Sequence, residues 1–115
     1  MTMEIKIEDC FIRCDREKAI VNFQNPCLAG GENCAFVSKF LNLAIETQPP
    51  FVILNLQGLK SIDSSGIRML SKFVIQVRHQ KRIHMTVLGS KEIGWHQNSL
   101  MYLRSLMPNL RLELS

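Results

Sequence analysis

Two adjacent hydroxyl groups, those of Ser64 and Ser65, occur in the sequence Asp63-Ser64-Ser65-Gly66, between an apolar segment and an amphipathic one. Asp and Ser are preferred at the N-cap of a helix, where a side-chain oxygen accepts a hydrogen bond from a free backbone N–H. The positive end of the helix dipole lies at the same place and favours an added phosphate. The serines are therefore candidates for phosphorylation, and a plain helix cap is the alternative interpretation.

Other chemistry finds little support in the sequence. A serine hydrolase needs its nucleophile in a Gly-x-Ser-x-Gly elbow, with a histidine and an acid, and no glycine precedes Ser64 in that register. Gly30-Gly31 lacks the Gly-Lys-Ser/Thr ending of a phosphate-binding loop. We therefore predict that the chain has no catalytic residues and is not an enzyme.

The histidines and cysteines form no pattern typical of a metal site. We expect His79 and His84 to be separate exposed residues, and His96, beside Trp95, to be a partly exposed helix residue. The four cysteines form no CxxC pair and are expected to be reduced and partly buried. They are Cys10, Cys14, Cys27 and Cys34. No metal or other cofactor is assigned.

The elements around the serines follow from the spacing of apolar residues. Val52, Ile53 and Leu54 form a short run that is rich in β-branched residues, as is typical of a buried strand. After Gly66 the apolar residues recur at three- and four-residue steps, which predicts an amphipathic helix. These residues are Ile67, Leu70, Phe73, Val74 and Val77. The serines are thus predicted to lie on a strand-to-helix turn.

The remaining elements predict one small α/β domain over residues 1–115. We expect strands at residues 5–12, 19–23, 83–87 and 110–114, and helices from about residue 33 and over residues 91–107. Phe36, Phe40, Leu43 and Ala44 are placed on the apolar side of the first helix. The order is ββαβαβαβ. It predicts a mixed sheet, antiparallel at the first hairpin and parallel where helices cross over.

Composition and charge exclude several classes of function. No apolar run approaches the roughly 20 residues of a membrane helix, and no signal peptide is recognised, so we expect a cytoplasmic protein that is not inserted in a membrane. The net charge is +4, and Arg78, Lys81 and Arg82 form a dense basic cluster. Because no aromatic residues are interleaved with these charges, nucleic-acid binding is not expected.

Residues 51–80 resemble the STAS domain, and within it the anti-sigma factor antagonists of bacterial stress and sporulation circuits. The likeness is carried by Ile53-Leu54-Asn55-Leu56, by the loop that ends in Ile62, by the Asp63-Ser64-Ser65-Gly66 turn and by Leu70. This resemblance implies a STAS-like domain with the element order given above. It also implies phosphorylation of the serine directly after the aspartate, which is Ser64, with Ser65 as the alternative acceptor.

The resemblance further implies the partners of a transcriptional switch. The unphosphorylated form would bind an anti-sigma factor serine/threonine kinase of the histidine-kinase-like ATPase fold, phosphorylation of Ser64 would release it, and a PP2C-type phosphatase would reset the cycle. Arg68, one helical turn after Ser64, is either a partner for the phosphate or an exposed helix charge. The implied docking residues are Asp63, Ser65, Gly66, Ile67 and Arg68.

One segment departs from the antagonist pattern. Antagonists often have a Gly-Glu-Leu-Asp-like turn after the second strand, where this chain has Gln-Asn-Pro-Cys-Leu-Ala-Gly-Gly at residues 24–31. Nucleotide contacts are therefore not carried over. Two alternatives remain open: a non-switching STAS scaffold subunit of a stressosome-like or ABC lipid-transport complex, and a STAS module that binds a metabolite or a lipid.

Overall fold

The structure is a computed structural model that describes residues 2–7, 10–15, 19–23, 27–28, 32–46, 49–80 and 83–115. The helices and strands of these residues are, in chain order, β1 Thr2–Ile7, β2 Cys10–Asp15, β3 Ile20–Phe23, β4 Cys27–Leu28, α1 Glu32–Ile45, β5 Phe51–Asn55, β6 Ser61–Ile62, α2 Ser64–His79, β7 His84–Gly89, α3 Gly94–Leu106 and β8 Arg111–Leu114. Within the same residues, no helix is long and apolar enough to cross a membrane.

A six-stranded mixed sheet has the strand order β1-β2-β3-β5-β7-β8. The pairs β1–β2 and β2–β3 are antiparallel, whereas β3–β5, β5–β7 and β7–β8 are parallel. Parallel neighbours cannot be joined by a tight turn, so a helix crosses over at each parallel step. These helices are α1 before β5, α2 before β7 and α3 before β8. β4 and β6 form a separate parallel pair.

The sheet has a buried face and a more open face, because successive side chains of a strand point to opposite sides. Val21, Leu54 and Val87 are fully buried and lie in register across β3, β5 and β7. Asn22 and Asn55 lie on the other face, where Asn55 Nδ2 donates to Asn22 Oδ1 at 2.9 Å. The three helices cover the buried face, and α2 contacts both α1 and α3.

The helix that follows the serines buries the apolar stripe predicted for it. Leu70, Phe73, Val74 and Val77 are all buried in the core, and Ile67 is half-buried at the edge of the stripe. Burial of each large side chain contributes about 1.5–3 kcal/mol to folding. This packing fixes the rotation of α2 about its axis, and therefore which residues of its first turn face the solvent.

The predicted α/β class and the mixed sheet are confirmed, but the start of the chain holds one strand more than expected. The predicted strand at residues 5–12 is two strands, β1 and β2, which pair antiparallel with Ile5 opposite Ile12. Both halves alternate in the manner of a strand, so their periodicity gave no sign of the reversal between them. The two-residue strands β4 and β6 were also not predicted, because they are too short to show a period.

The apolar side of α1 is narrower than its sequence predicted. Phe40 and Ala44 are buried as expected, but Phe36 is 52% exposed and Leu43 is 46% exposed. The buried stripe of α1 consists of Val37, Phe40, Leu41, Ala44 and Ile45. Phe36 and Leu43 are seven residues apart, so they lie together on one edge of this stripe, at the limit of what the sheet covers.

Candidate functional site

Asp63 is the N-cap of α2, as its sequence position predicted. Its backbone is extended, with φ −95° and ψ 178°, and its Oδ1 accepts a hydrogen bond from the Gly66 N–H at 2.8 Å. The Asp63 carbonyl oxygen accepts a second bond from the Ile67 N–H at 3.0 Å. Ser64 and Ser65 are therefore the first two residues of the helix, close to the positive end of its dipole.

The two candidate acceptors differ in their accessibility. Ser64 is exposed, whereas Ser65 is half-buried. Because α2 is rotated so that Gly66 and Met69 face the core, the residue directly after the cap is left on the outside. The Ser64 residue is therefore more accessible from the solvent than Ser65.

The residues that the sequence placed in a docking surface are together at this end of α2. Asp63 and Arg68 are exposed, Ser65 and Ile67 are half-buried, and Gly66 is buried. Arg68 follows Ser64 by four residues, so their side chains lie on the same side of the helix, one turn apart. The site thus combines an exposed hydroxyl, a capping carboxylate and an exposed guanidinium on one continuous patch.

The chain segment that leads into this turn is fastened to the start of α3. Trp95 Nε1 donates a hydrogen bond to the Lys60 carbonyl oxygen at 2.8 Å, and His96 Nε2 lies 2.8 Å from the Leu59 carbonyl oxygen. The Leu59 side chain is fully buried. We call residues 56–60 together with Trp95 and His96 the bracket, since two side chains of α3 hold the backbone of the preceding loop.

His96 is fully buried, which corrects the expectation of a partly exposed residue. Its Nδ1 accepts a hydrogen bond from the Ser90 N–H at 2.9 Å. A carbonyl oxygen can only accept, so Nε2 carries the proton and donates to Leu59, and the neutral ring satisfies both bonds. Burial lowers the pKa of His96 below its usual 6.5, against the opposing effect of the bond to Leu59. His96 therefore links two loops as a neutral side chain and takes no part in acid–base chemistry.

The sequence did contain a signal for the burial of His96. His96, Leu100 and Leu103 are spaced by four and three residues, so they share one face of α3, and all three are fully buried. The Trp95 ring meets the His96 ring edge to face, with centroids 4.2 Å apart. The expectation that His79 and His84 are exposed is confirmed.

A short pair of strands flanks the turn on its other side. β6 ends at Ile62, one residue before the cap, and its Ser61 and Ile62 pair with Cys27 and Leu28 of β4. The segment that departs from the antagonist pattern, residues 24–31, therefore passes beside the turn where the structure describes it. Residues 24–26 and 29–31 lie outside the described residues.

Metal-ligating side chains do not cluster in the part of the chain that the structure describes: no three His, Cys, Asp or Glu side chains come together there. Cys14 is a reduced thiol, as expected, and it is fully buried in the core rather than partly buried. The expectations for the side chains of Cys10, Cys27 and Cys34 lie outside the described side chains.

Comparison with known proteins identifies the family. The family model of the STAS domain matches residues 13–95. The chain belongs to the STAS domain family. The match includes the Asp63 turn and all of α2, so the resemblance seen in the sequence at residues 51–80 is confirmed. The match of the family model ends at Trp95, the second residue of α3.

Among solved structures, SiaC of Pseudomonas aeruginosa has a similar fold, with a TM-score of 0.65. The alignment covers 100% of this chain and 96% of that chain, at 9% sequence identity. At this identity the likeness concerns the fold alone, and it extends the STAS architecture over α3 and β8. A search of curated proteins found no match.

Proposed function

We propose that this STAS domain is a partner-switching regulator of the anti-sigma factor antagonist type, and that phosphorylation of Ser64 sets its state. One observation carries the proposal. Ser64 is exposed and is the first residue of α2, directly after the cap Asp63. The matched family model includes this turn. Ser65, which is half-buried, is the alternative acceptor.

The charge of a phosphate on Ser64 is expected to have a large effect on the binding of a protein partner. A phosphate adds a charge of about −1.5 to −2 at neutral pH. Within the domain, the N-terminus of α2 and Arg68 would stabilise it. In a complex it would lie beside the Asp63 carboxylate, and any partner covering the turn would have to remove water from both groups. Phosphorylation is therefore expected to weaken binding while leaving the fold intact.

The proposed cycle follows from this difference. The unphosphorylated form binds an anti-sigma factor serine/threonine kinase of the histidine-kinase-like ATPase fold, which frees the kinase's other client for transcription. The kinase then phosphorylates Ser64 and releases the domain, and a PP2C-type phosphatase resets it. In this proposal the domain is a cytoplasmic, non-catalytic bacterial protein. Its contacts with the kinase are made through Asp63, Ser65, Ile67 and Arg68, and the buried Gly66 shapes the turn beneath them.

Mass spectrometry of the protein purified from its own cells tests the proposal. We expect an intact mass raised by one phosphate, lost on phosphatase treatment, and a phosphopeptide modified at Ser64. A phosphate on Ser65 instead would keep the switch and reassign the acceptor. A chain that carries no phosphate under any growth condition and stays in a large complex would replace the proposal with the scaffold alternative.

Two variants then separate charge from the loss of the hydroxyl. Ser64→Ala keeps the surface neutral and is expected to bind the kinase stably, because it cannot be released by phosphorylation. Ser64→Asp introduces a negative charge and is expected to bind weakly or not at all. Equal affinity of the two variants for the kinase would exclude a switch that acts through charge at this position.

A further inference from the structure

The outer surfaces of α2 and α3 are basic and contain no acidic side chain. Neither Ser64–His79 nor Gly94–Leu106 includes an Asp or a Glu. Arg68, Lys72 and Arg104 are exposed on these two helices. The nearest acidic residues in sequence are the cap Asp63 and Glu92, which precede the helices. The surface is therefore of one sign along its length.

Large apolar side chains are exposed among these cations. Ile75 on α2 is 39% exposed, and Met101 and Tyr102 on α3 are 53% and 52% exposed. Arg68, Lys72 and Ile75 recur at four and three residues, so they form one outer stripe of α2. Exposed apolar groups with a polar surround are typical of surfaces that bind another molecule.

The two helices present these residues on one surface. α2 packs against α3, and Arg78 Nη1 of α2 donates a hydrogen bond to the Leu106 carbonyl oxygen of α3 at 3.2 Å. Tyr102 precedes Leu106 by four residues, so it lies on the side of α3 that is turned toward α2. We call the set Arg68, Lys72, Ile75, Met101 and Tyr102 the α2–α3 face; Arg104, two residues after Tyr102, lies on another side of α3.

We propose that the α2–α3 face docks an acidic, amphipathic segment of a protein partner, and that a phosphate on Ser64 weakens this docking. The cations select acidic side chains, and the three apolar groups select an apolar stripe between them. The α2–α3 face has one exposed aromatic ring, that of Tyr102, and stacking of several bases would need more than one. The face therefore suits a peptide better than a nucleic acid. The second half of the proposal rests on the proposed function of Ser64.

The coupling to Ser64 runs along the same stripe. Arg68 is one turn from Ser64, and a phosphate there would pair with its guanidinium and withdraw it from an acidic ligand. Lys72 is a further turn away, about 12 Å from Ser64 along the axis. The screening length is about 8 Å at physiological salt, so the phosphate would act strongly on Arg68 and weakly on Lys72. The expected result is reduced affinity, with part of the binding retained.

Site-specific photo-crosslinking in the source cells tests the docking surface. A photoreactive phenylalanine analogue replaces Ile75 or Tyr102, and a matched probe replaces Phe51, which is 62% exposed on the open face of the sheet. We expect crosslinks from positions 75 and 102, and not from 51, to a protein segment rich in Asp and Glu. Arg68→Glu combined with Lys72→Glu should lower their yield at least about fivefold. Arg111→Glu, an exposed arginine of β8, should leave it unchanged.

Other outcomes overturn the proposal. Crosslinks to lipid, to nucleic acid or to a segment without excess acid would assign a different occupant, and no crosslink at positions 75 and 102 would show that the face is free. Equal thermal unfolding of each variant and the parent excludes misfolding as the cause. If Ser64→Asp leaves the crosslinks to the acidic segment unchanged, docking stands and the control by Ser64 fails. Crosslinks that depend on Ser64 and come only from a probe at Arg68, and not from positions 75 and 102, would support the switch. They would exclude the rest of the α2–α3 face as a docking surface.

Discussion

The turn at the start of α2 and the bracket, which holds the loop before it, are built in opposite ways. At the turn, Ser64 is exposed and its neighbours include exposed charges. In the bracket, His96 is fully buried and holds Leu59 and Ser90 by hydrogen bonds of 2.8 and 2.9 Å. The contacts of the bracket hold the loop that leads into the turn, whereas the turn itself faces the solvent.

The largest expected effect comes from removing the buried histidine. His96→Ala deletes both hydrogen bonds, leaves the Ser90 N–H and the Leu59 carbonyl without this partner, and opens a cavity. We expect the free energy of unfolding to fall by about 3 kcal/mol. Urea denaturation measures this change in the free energy of unfolding. The control is His79→Ala, at an exposed position of α2, for which we expect an effect near zero. If both variants lost equally little free energy of unfolding, the bracket would not be a rigid part of the fold.

Two glycines near the bracket sharpen the same comparison. A Cβ on Gly89 would lie 2.6 Å from Leu100 Cδ1, 2.7 Å from Leu114 Cδ2 and 3.2 Å from His96 Nδ1. Gly89→Ala should therefore overpack this region and lower the free energy of unfolding by about 2 kcal/mol.

Gly94 is the matched control for this substitution. A Cβ on Gly94 meets no heavy atom within 4 Å. Gly94→Ala should be neutral or stabilise α3 by up to about 1 kcal/mol, because alanine is the better helix former. Thermal unfolding of the two variants side by side compares them. A Gly89→Ala protein as stable as the parent would mean that Leu100 and Leu114 can move aside, and that this region is looser than its packing indicates.

The two regions also differ in how far the sequence predicted them. The turn was predictable because its determinants are local: the Asp63 carboxylate caps an N–H three residues away, and the stripe of α2 repeats within a few turns. The bracket was not predictable, because His96 forms a hydrogen bond with the carbonyl oxygen of Leu59, 37 residues earlier in the chain. Only the spacing of His96 with Leu100 and Leu103 hinted at its burial.

Other misses have a similar physical cause. Phe36 and Leu43 satisfy the helical pattern of α1, yet they are half exposed, because the pattern does not say how wide a stripe the sheet covers. The strands β4 and β6 are specified by their pairing with each other, and two residues carry no period. The cap, the helical stripe and the class of sheet were therefore predictable from the sequence, whereas side-chain contacts between distant segments were not.

A smaller expected effect is the pH dependence that His96 gives to the stability of the protein. Burial lowers the pKa of His96 below 6.5 in the folded protein, so the unfolded chain binds this proton at a higher pH. The stabilising contribution is fully present above the unfolded-state pKa and is lost as the pH falls toward the folded-state pKa. The free energy of unfolding should fall by at most about 1.4 kcal/mol per pH unit in this window.

Urea midpoints of the parent and of His96→Gln, at about pH 7.5 and about pH 5.5, isolate this contribution. The glutamine variant is expected to be less stable at both values but to depend less on pH. The two proteins differ only at position 96, so the contributions of all other groups are common to both and cancel in the comparison. An identical pH dependence in the two proteins would show that His96 is not the group responsible.

The smallest expected effects lie at the turn, and they test whether its surface is independent of the fold. Asp63→Ala removes the cap bond to Gly66 and should lower the free energy of unfolding by about 1 kcal/mol. Ser64→Asp gains from the helix dipole and loses from the Asp63 carboxylate beside it, so we expect a change below about 0.5 kcal/mol. Urea denaturation gives both values, and amide exchange over the first turn of α2 locates them. If Ser64→Asp destabilised the protein as much as His96→Ala, charge at this position would act by unfolding the turn, and the fold itself would be the switch.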